Sequence, residues 1–366
     1  MPCTAAVPAR ILVIRLSALG DVIMASGLLP ALRAIHPRAE ISWLVEPAAL
    51  PLLSGHPRLD HVIVWPRGEW RRLWQERRYG AWLKGFLQLR RQLKDGRFDL
   101  VLDTQGLLKS AVWGWLSGAP RRISLIGWEG SHHLATERLV PPEADARRRF
   151  GAEYRALAEY LGAPADTFRP DLVPSEAATL AADRALASAA RLAGADPALP
   201  RVVFCPWTTR PQKHWFEDRW VELARLVRAR GMLPVVLGGP ADRAASEQLV
   251  AQATGTLQLA GHLPLDASLA VISQAKLLIG VDTGLTHAGT ALHIPTVALF
   301  GSTRPYLDAG SPTTVVLHSG RACSPCRRRP SCGGRFDCMR DLDLAQVWRA
   351  AETVLAAAQP GTELSL

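Results

Sequence analysis

Four short segments of this 366-residue chain gather residue types that can do chemistry, and each follows an apolar run and leads toward a helical pattern. In Ser17-Ala-Leu-Gly20-Asp21 the glycine lets the backbone turn tightly and approach a ligand. Asp21 reads either as a helix N-cap or as a general base for a hydroxyl. Asp282-Thr283-Gly284-Leu285-Thr286-His287 places small and hydroxyl residues at a helix N-terminus, where free amides favour an anion such as a pyrophosphate. Asp282 is a poor phosphate neighbour by charge, so it should orient a hydroxyl or backbone amides. His287 reads as a satisfied core histidine or as a phosphate or sugar contact. Between Pro206 and Trp215, Thr208 and Thr209 offer hydroxyls, while Arg210 and Lys213 offer positive charge that can neutralise a diphosphate leaving group without a metal. The alternative is a solvated capping loop. Gly238-Gly239-Pro-Ala-Asp242 is weaker; its glycines permit close backbone approach, and Asp242 could accept from ribose or sugar hydroxyls.

The elements that must carry these loops are strands and helices in alternation. Arg10–Arg15 is a continuous apolar run, as a strand buried on both faces requires. Further strands are expected at 40–46, 61–65, 99–103 and 122–126. A helical pattern runs over 22–33, and 68–97 resembles one basic amphipathic helix. A second series has strands at 201–205, 233–239, 276–282 and 295–301, a helix over 215–230 and a last helix over 344–358. Two doubly wound α/β domains follow from this repetition. The expected division is 1–175, a linker region 176–200 containing an Ala-rich helix, 201–343, and a C-terminal helix and tail from 344 to 366. Neither a G-x-G-x-x-G nor a Walker A sequence is present, which removes the main support for dehydrogenase or P-loop ATPase readings.

Apolar residues make up 48% and charged residues 21% of the chain, an ordinary globular composition. No apolar run approaches the ~20 residues needed to cross a bilayer, and the first ten residues lack a signal-peptide core; a cytoplasmic location is expected. The formal net charge of +10 favours anionic partners: phosphorylated ligands, an acidic lipid surface or nucleic acid. The last rests on charge alone, with no recognisable module, and is set aside. Four of six cysteines cluster as Cys323-x2-Cys326-x5-Cys332-x5-Cys338. In a reducing compartment such a set suggests a structural tetrahedral zinc or iron site before free thiols or disulfides.

Four segments in order, Ile11-Leu-Val-Ile-Arg-Leu-Ser-Ala-Leu-Gly-Asp-Val, Asp103-Thr-Gln-Gly-Leu-Leu-Lys-Ser110, Thr209-Arg-Pro-Gln-Lys-His-Trp215 and Gly280-Val-Asp-Thr-Gly-Leu-Thr-His287, resemble glycosyltransferase family 9, the ADP-heptose:lipopolysaccharide heptosyltransferases. The likeness covers nearly the whole chain. It implies a GT-B fold, two Rossmann-like domains facing a cleft with a C-terminal helix crossing back to the N-terminal domain. It also implies an inverting transfer, with no metal or other cofactor in catalysis, from ADP-L-glycero-D-manno-heptose to Kdo-lipid A or its heptosylated form. By the same resemblance Asp21 matches the catalytic base and Lys213 the lysine on the donor phosphates. Thr208, Thr209, Arg210, Asp242, Asp282 and the loop Thr283–His287 match donor-binding positions, while Ser17, Gly20, Gln105 and Lys109 match the acceptor side. The phosphorylated glycolipid acceptor would bring the enzyme to the inner leaflet as a peripheral protein, where Arg71, Arg72, Arg77, Arg78, Arg90 and Arg91 could meet acidic headgroups. Competing readings are a GT-B transferase with another nucleotide sugar or a protein acceptor, and a pseudo-transferase that only binds nucleotide sugar.

Overall fold

The computed structural model describes residues 8–125, 127–140, 149–326 and 329–359. They form two units: the first runs to Val173, and the second from Pro174, joined by Arg149 and Phe150. The first unit contains β1 (Arg10–Ile14), α1 (Leu19–Ala25), α2 (Leu28–Ile35), β2 (Glu40–Val45), β3 (His61–Val64), α3 (Arg67–Gln75), α4 (Tyr79–Asp95), β4 (Leu100–Asp103), α5 (Leu108–Leu116), β5 (Arg121–Leu125), β6 (Glu137–Leu139) and α6 (Ala152–Tyr160). Its six strands are all parallel, in the order β3-β2-β1-β4-β5-β6.

β1 has four consecutive buried residues, Ile11–Ile14, because helices cover both faces of the sheet. The order of strands reverses between β1 and β4, where Ile14 pairs with Asp103. The loops leaving these strands therefore emerge side by side, at the place where open α/β sheets bind ligands. The helix expected over 22–33 is two helices, since Ser26 turns its hydroxyl onto Ile23 O at 2.6 Å and accepts from Asp171 N, and Gly27 caps α2. The basic helix expected over 68–97 is likewise two, α3 and α4, reversed at Arg77, whose φ is +56°. The core of this unit is an aliphatic and tryptophan cluster beneath α3–α5. Each large side chain removed from water contributes about 1.5–3 kcal/mol.

The second unit contains α7 (Glu176–Ala193), β7 (Arg201–Cys205), α8 (Glu217–Ala229), β8 (Leu233–Val236), α9 (Arg243–Gln252), β9 (Leu257–Gln258), α10 (Leu265–Ser273), β10 (Leu277–Val281), α11 (Gly284–Ala291), β11 (Thr296–Phe300), β12 (Thr314–His318), α12 (Asp337–Arg340) and α13 (Leu344–Ala357). Its sheet, β12-β11-β10-β7-β8-β9, is parallel throughout. Read from β9, it repeats the topology of the first, with its switch point between β7 and β10.

One expectation changes here. The segment 176–200 is not a linker: α7, capped by Ser175 Oγ accepting from Ala178 N and ended by left-handed Gly194, packs on α10 and β9 as part of the second unit. Helix α13 packs on β10, β11, β12 and α8 of the same unit. Three short outer strands, β6, β9 and β12, were not anticipated. The expected strand end at 126 lies outside the described residues. Among the described residues no helix is long and apolar enough to cross a membrane.

Candidate active site

Each unit carries polar residues on its switch-point loops. In the first, Arg15 leaves β1 largely buried and reaches two ways: Nη2 lies 2.7 Å from Asp21 Oδ2, and Nη1 donates to Thr104 O at 2.8 Å. Its guanidinium also lies over the Tyr154 ring, 5.6 Å from the centroid. Asp21 is the third residue of α1 rather than its N-cap; it accepts from Ala18 N at 3.2 Å and keeps its carboxylate half-exposed. A buried cation thus holds a carboxylate at the mouth of the sheet.

The second loop is stapled to the first. Gln105 Oε1 accepts from Leu16 N at 2.9 Å, so this side chain ties the two loops together. Gly106 has a φ of +64°, and a Cβ there would run into the carbonyl oxygen of Leu125. Lys109 pairs with Glu46 at 3.4 Å. Gly20 lies inside α1, and Ser17 stands half-buried just before it.

Asp103 was not singled out among the site residues. It is buried at the end of β4 and accepts from Gln105 N, Gly106 N and Ser110 Oγ, each at 3.1 Å. Burial pushes its carboxyl up to about 6, despite those hydrogen bonds and Arg15 nearby. A carboxyl raised above its ordinary 3.8 costs stability as pH rises from about 4 to about 6. At roughly 1.4 kcal/mol per pH unit the loss is about 3 kcal/mol. Asp103→Asn should flatten that slope, which urea unfolding of both proteins at pH 4 and pH 6.5 measures; parallel slopes would refute the assignment.

In the second unit the loops after β7 and β10 meet at Asp282. Its Oδ2 lies 2.5 Å from Lys213 Nζ and accepts from Thr303 Oγ1 at 2.5 Å; its Oδ1 lies 3.3 Å from His287 Nε2. Lys213 Nζ also donates to the Asp282 carbonyl at 3.3 Å, which leaves one of its three N–H groups for another partner. On the far side of the imidazole, His287 Nδ1 lies 3.0 Å from Tyr306 OH, and Phe150 and Phe300 pack around that pair. Burial opposes the charge on Asp282, but His287 and Lys213 outweigh it and hold the carboxyl well below the usual carboxylate range. Burial beside Asp282 pushes the Tyr306 phenol well up.

Helix α11 begins directly after this network. Its N-cap, Thr283, makes no side-chain capping bond, so the amides of Gly284 and Leu285 open the helix without an internal cap. Thr286 turns its hydroxyl into the core onto Val281 O at 2.7 Å, so only its backbone can serve a ligand. This packing requires glycine at 280, where a Cβ would collide with that hydroxyl. Thr208 is held by His214, whose Nε2 lies 2.7 Å from its carbonyl oxygen, while Thr209 and Arg210 continue that loop. Asp242 closes its own turn, accepting from Gly239 N at 2.8 Å. Thr303, Tyr306 and Phe150 are additions. Thr303 follows the β11 strand by the same strand-then-loop logic as the others; nothing local marks Phe150, which is distant in sequence.

The four clustered cysteines border one small cavity of about 20 Å³, together with Gln212 and Ser302. Burial raises the thiols of Cys326 and Cys338. Among the described residues no group of three or more His, Cys, Asp or Glu is arranged to hold a metal in this geometry. Arg327 and Arg328, between Cys326 and Cys332 in the sequence, lie outside the described residues.

Two parallel sheets of one topology, each with polar residues on its switch-point loops, place the chain among two-domain α/β enzymes of the GT-B class. The fold matches a glycosyl transferase family 9 structure from Veillonella parvula with a TM-score of 0.78, at 22% identity, covering 96% of this chain and 98% of that one. It also matches the E. coli heptosyltransferase WaaC with ADP-2-deoxy-2-fluoro heptose, with a TM-score of 0.68 at 23% identity, covering 94% and 99%. The family profile described as Glycosyltransferase family 9 (heptosyltransferase) matches residues 86–335. Lipopolysaccharide heptosyltransferase 1 of Pseudomonas aeruginosa is 33% identical over 329 residues, 87% of this chain and 86% of its own. The chain belongs to glycosyltransferase family 9, and it is a glycosyltransferase.

Proposed function

We propose that this enzyme transfers heptose from ADP-L-glycero-D-manno-heptose to the inner core of lipopolysaccharide, Kdo-lipid A or its heptosylated form. The observation that carries the donor half is the Lys213–Asp282–His287 network at the start of α11. A cation and a helix N-terminus side by side suit a diphosphate. The relative's name, lipopolysaccharide heptosyltransferase 1, supports the acceptor class.

In this reading Asp21, presented by Arg15, takes the proton of the acceptor hydroxyl. The oxygen attacks the anomeric carbon as the bond to the ADP oxygen breaks, in one displacement that inverts the anomeric centre. The remaining N–H of Lys213 and the first amides of α11 receive the charge growing on the diphosphate, so no metal is required for the step. The enzyme works at the cytoplasmic face of the inner membrane, with the arginines of α3 and α4 against acidic headgroups.

The test is transfer of labelled heptose from ADP-heptose to defined core acceptors, with and without a chelator. Product of inverted anomeric configuration, formed undiminished in chelator, is the expected result. Transfer only from another nucleotide sugar, or only to a protein, would replace the reading. The cysteine loop enters through its shared cavity: four thiols around one space are the donor set of a structural zinc or iron. Metal analysis of purified protein should give about one equivalent per chain; a trace would remove this part.

A further inference from the structure

The first unit has a large groove that none of these steps uses. It is an open groove between α3, α4 and α5 with a volume of about 810 Å³. Its wall is a chain of aromatic rings: Trp65 and Trp70 each meet Trp113, at 5.7 and 5.8 Å, and Phe86 meets Trp113 at 5.5 Å and Trp82 at 5.6 Å. Trp74, 54% exposed, continues the wall from Trp82 at 5.3 Å. Leu108, 45% exposed, closes it on the α5 side. A concave, largely apolar groove of this volume with a few polar groups is the usual form of a ligand site.

We propose that this groove seats an acyl chain of the glycolipid acceptor. The inference rests on the lipid-linked acceptor proposed above and adds where its apolar part goes. Two observations favour an acyl chain over a bare saccharide. Most neighbouring rings cross at steep angles of 57–73°, so they form an irregular trough rather than a flat platform for a sugar face. Arg67, Arg71 and Lys109 line the same groove with Glu129, and Glu46 draws Arg67 and Lys109 together at 3.5 and 3.4 Å; three cations against these two carboxylates suit the phosphate of an anionic lipid.

Position agrees with this assignment. Leu108 and Lys109 open α5 immediately after the switch-point loop that holds Gln105. The groove therefore begins at the loop expected to meet the acceptor and runs outward along α3 and α4. A molecule with a polar reacting end and an apolar tail fits that gradient.

The test measures binding of dodecyl phosphate below its micelle concentration to the full chain by calorimetry, with hexyl phosphate and inorganic phosphate as comparisons. Dodecyl phosphate should bind at least tenfold more tightly than hexyl phosphate, with no binding of inorganic phosphate at the same concentrations. Val112→Trp, which fills the groove, and Trp74→Ala, at an exposed ring, should each weaken dodecyl phosphate binding at least tenfold. Equal binding by all three proteins, or no dependence on chain length, would overturn the proposal. So would a wild-type dimer in light scattering that both variants dissolve, since a second copy would then own the surface. Heptose transfer is scored separately on acylated and deacylated acceptors. The wild type should show a lower KM for the acylated one, and the variants should lose that difference at unchanged kcat on the deacylated one. Chain binding without transfer would remove the heptosyltransferase reading and leave the groove standing; transfer with equal KM values and silent variants would do the reverse.

Discussion

Asp21→Asn should lower kcat by about 10²–10⁴-fold, the usual contribution of a positioned general base, while leaving donor binding unchanged. The substitution is mild structurally. An asparagine at this position still accepts from Ala18 N, and its oxygen still faces Arg15, so α1 starts as before. What it removes is a group able to take the acceptor proton. Single-turnover transfer separates chemistry from binding, and calorimetry with ADP reports the donor site. A variant with kcat within threefold of wild type would exclude Asp21 as the base. Loss of ADP binding instead of kcat would place Asp21 in nucleotide recognition.

The second large effect is expected at Lys213. Lys213→Met should reduce kcat/KM by about 10²–10³-fold, the scale of removing one charge-stabilising donor from a transition state. It should also destabilise the fold by about 3–5 kcal/mol, because Asp282 is left as a buried carboxylate with Thr303 and His287 only. The two readouts are linked through pH. The depressed carboxyl of Asp282 contributes stability above its ordinary range, near pH 4, and that contribution fades as acid protonates it. The wild type should therefore lose more stability than the variant between pH 6 and pH 3. Asp282→Asn in the Lys213→Met background should recover part of the stability without recovering activity, which urea melts and transfer rates together decide. Equal acid sensitivity of wild type and Lys213→Met would mean that the ion pair is not what holds Asp282 ionised.

Much of the scaffold was readable because parallel strands buried on both faces are continuous apolar runs, and Arg10–Ile14 or Leu277–Val281 can hardly be anything else. The segment 176–200 was misread as a linker because alanine favours a helix without saying what that helix packs against; α10 and β9 supply the answer. The single basic helix over 68–97 became two because one residue, Arg77, takes a left-handed conformation that composition does not mark. The short outer strands were missed because two or three residues, as in β6 and β9, carry too little periodicity to register.

The same division runs through the site. By itself the sequence determined that Asp21, Lys213, Asp282 and His287 stand on loops that follow strands, since strand and loop are local properties of neighbouring residues. Only the tertiary structure decided what each of them touches. Arg15 reaches Asp21 and Thr104 because β1 and β4 are adjacent, and Lys213 reaches Asp282 because β7 and β10 are. Thr303 completes that pair from the loop after β11, while Thr286 and Asp242, polar and well placed in sequence, spend their side chains on Val281 O and Gly239 N. A residue's type sets what bonds it can make; the strand order, which brings together positions such as Arg15 and Thr104, 89 residues apart, sets which of those bonds are within reach.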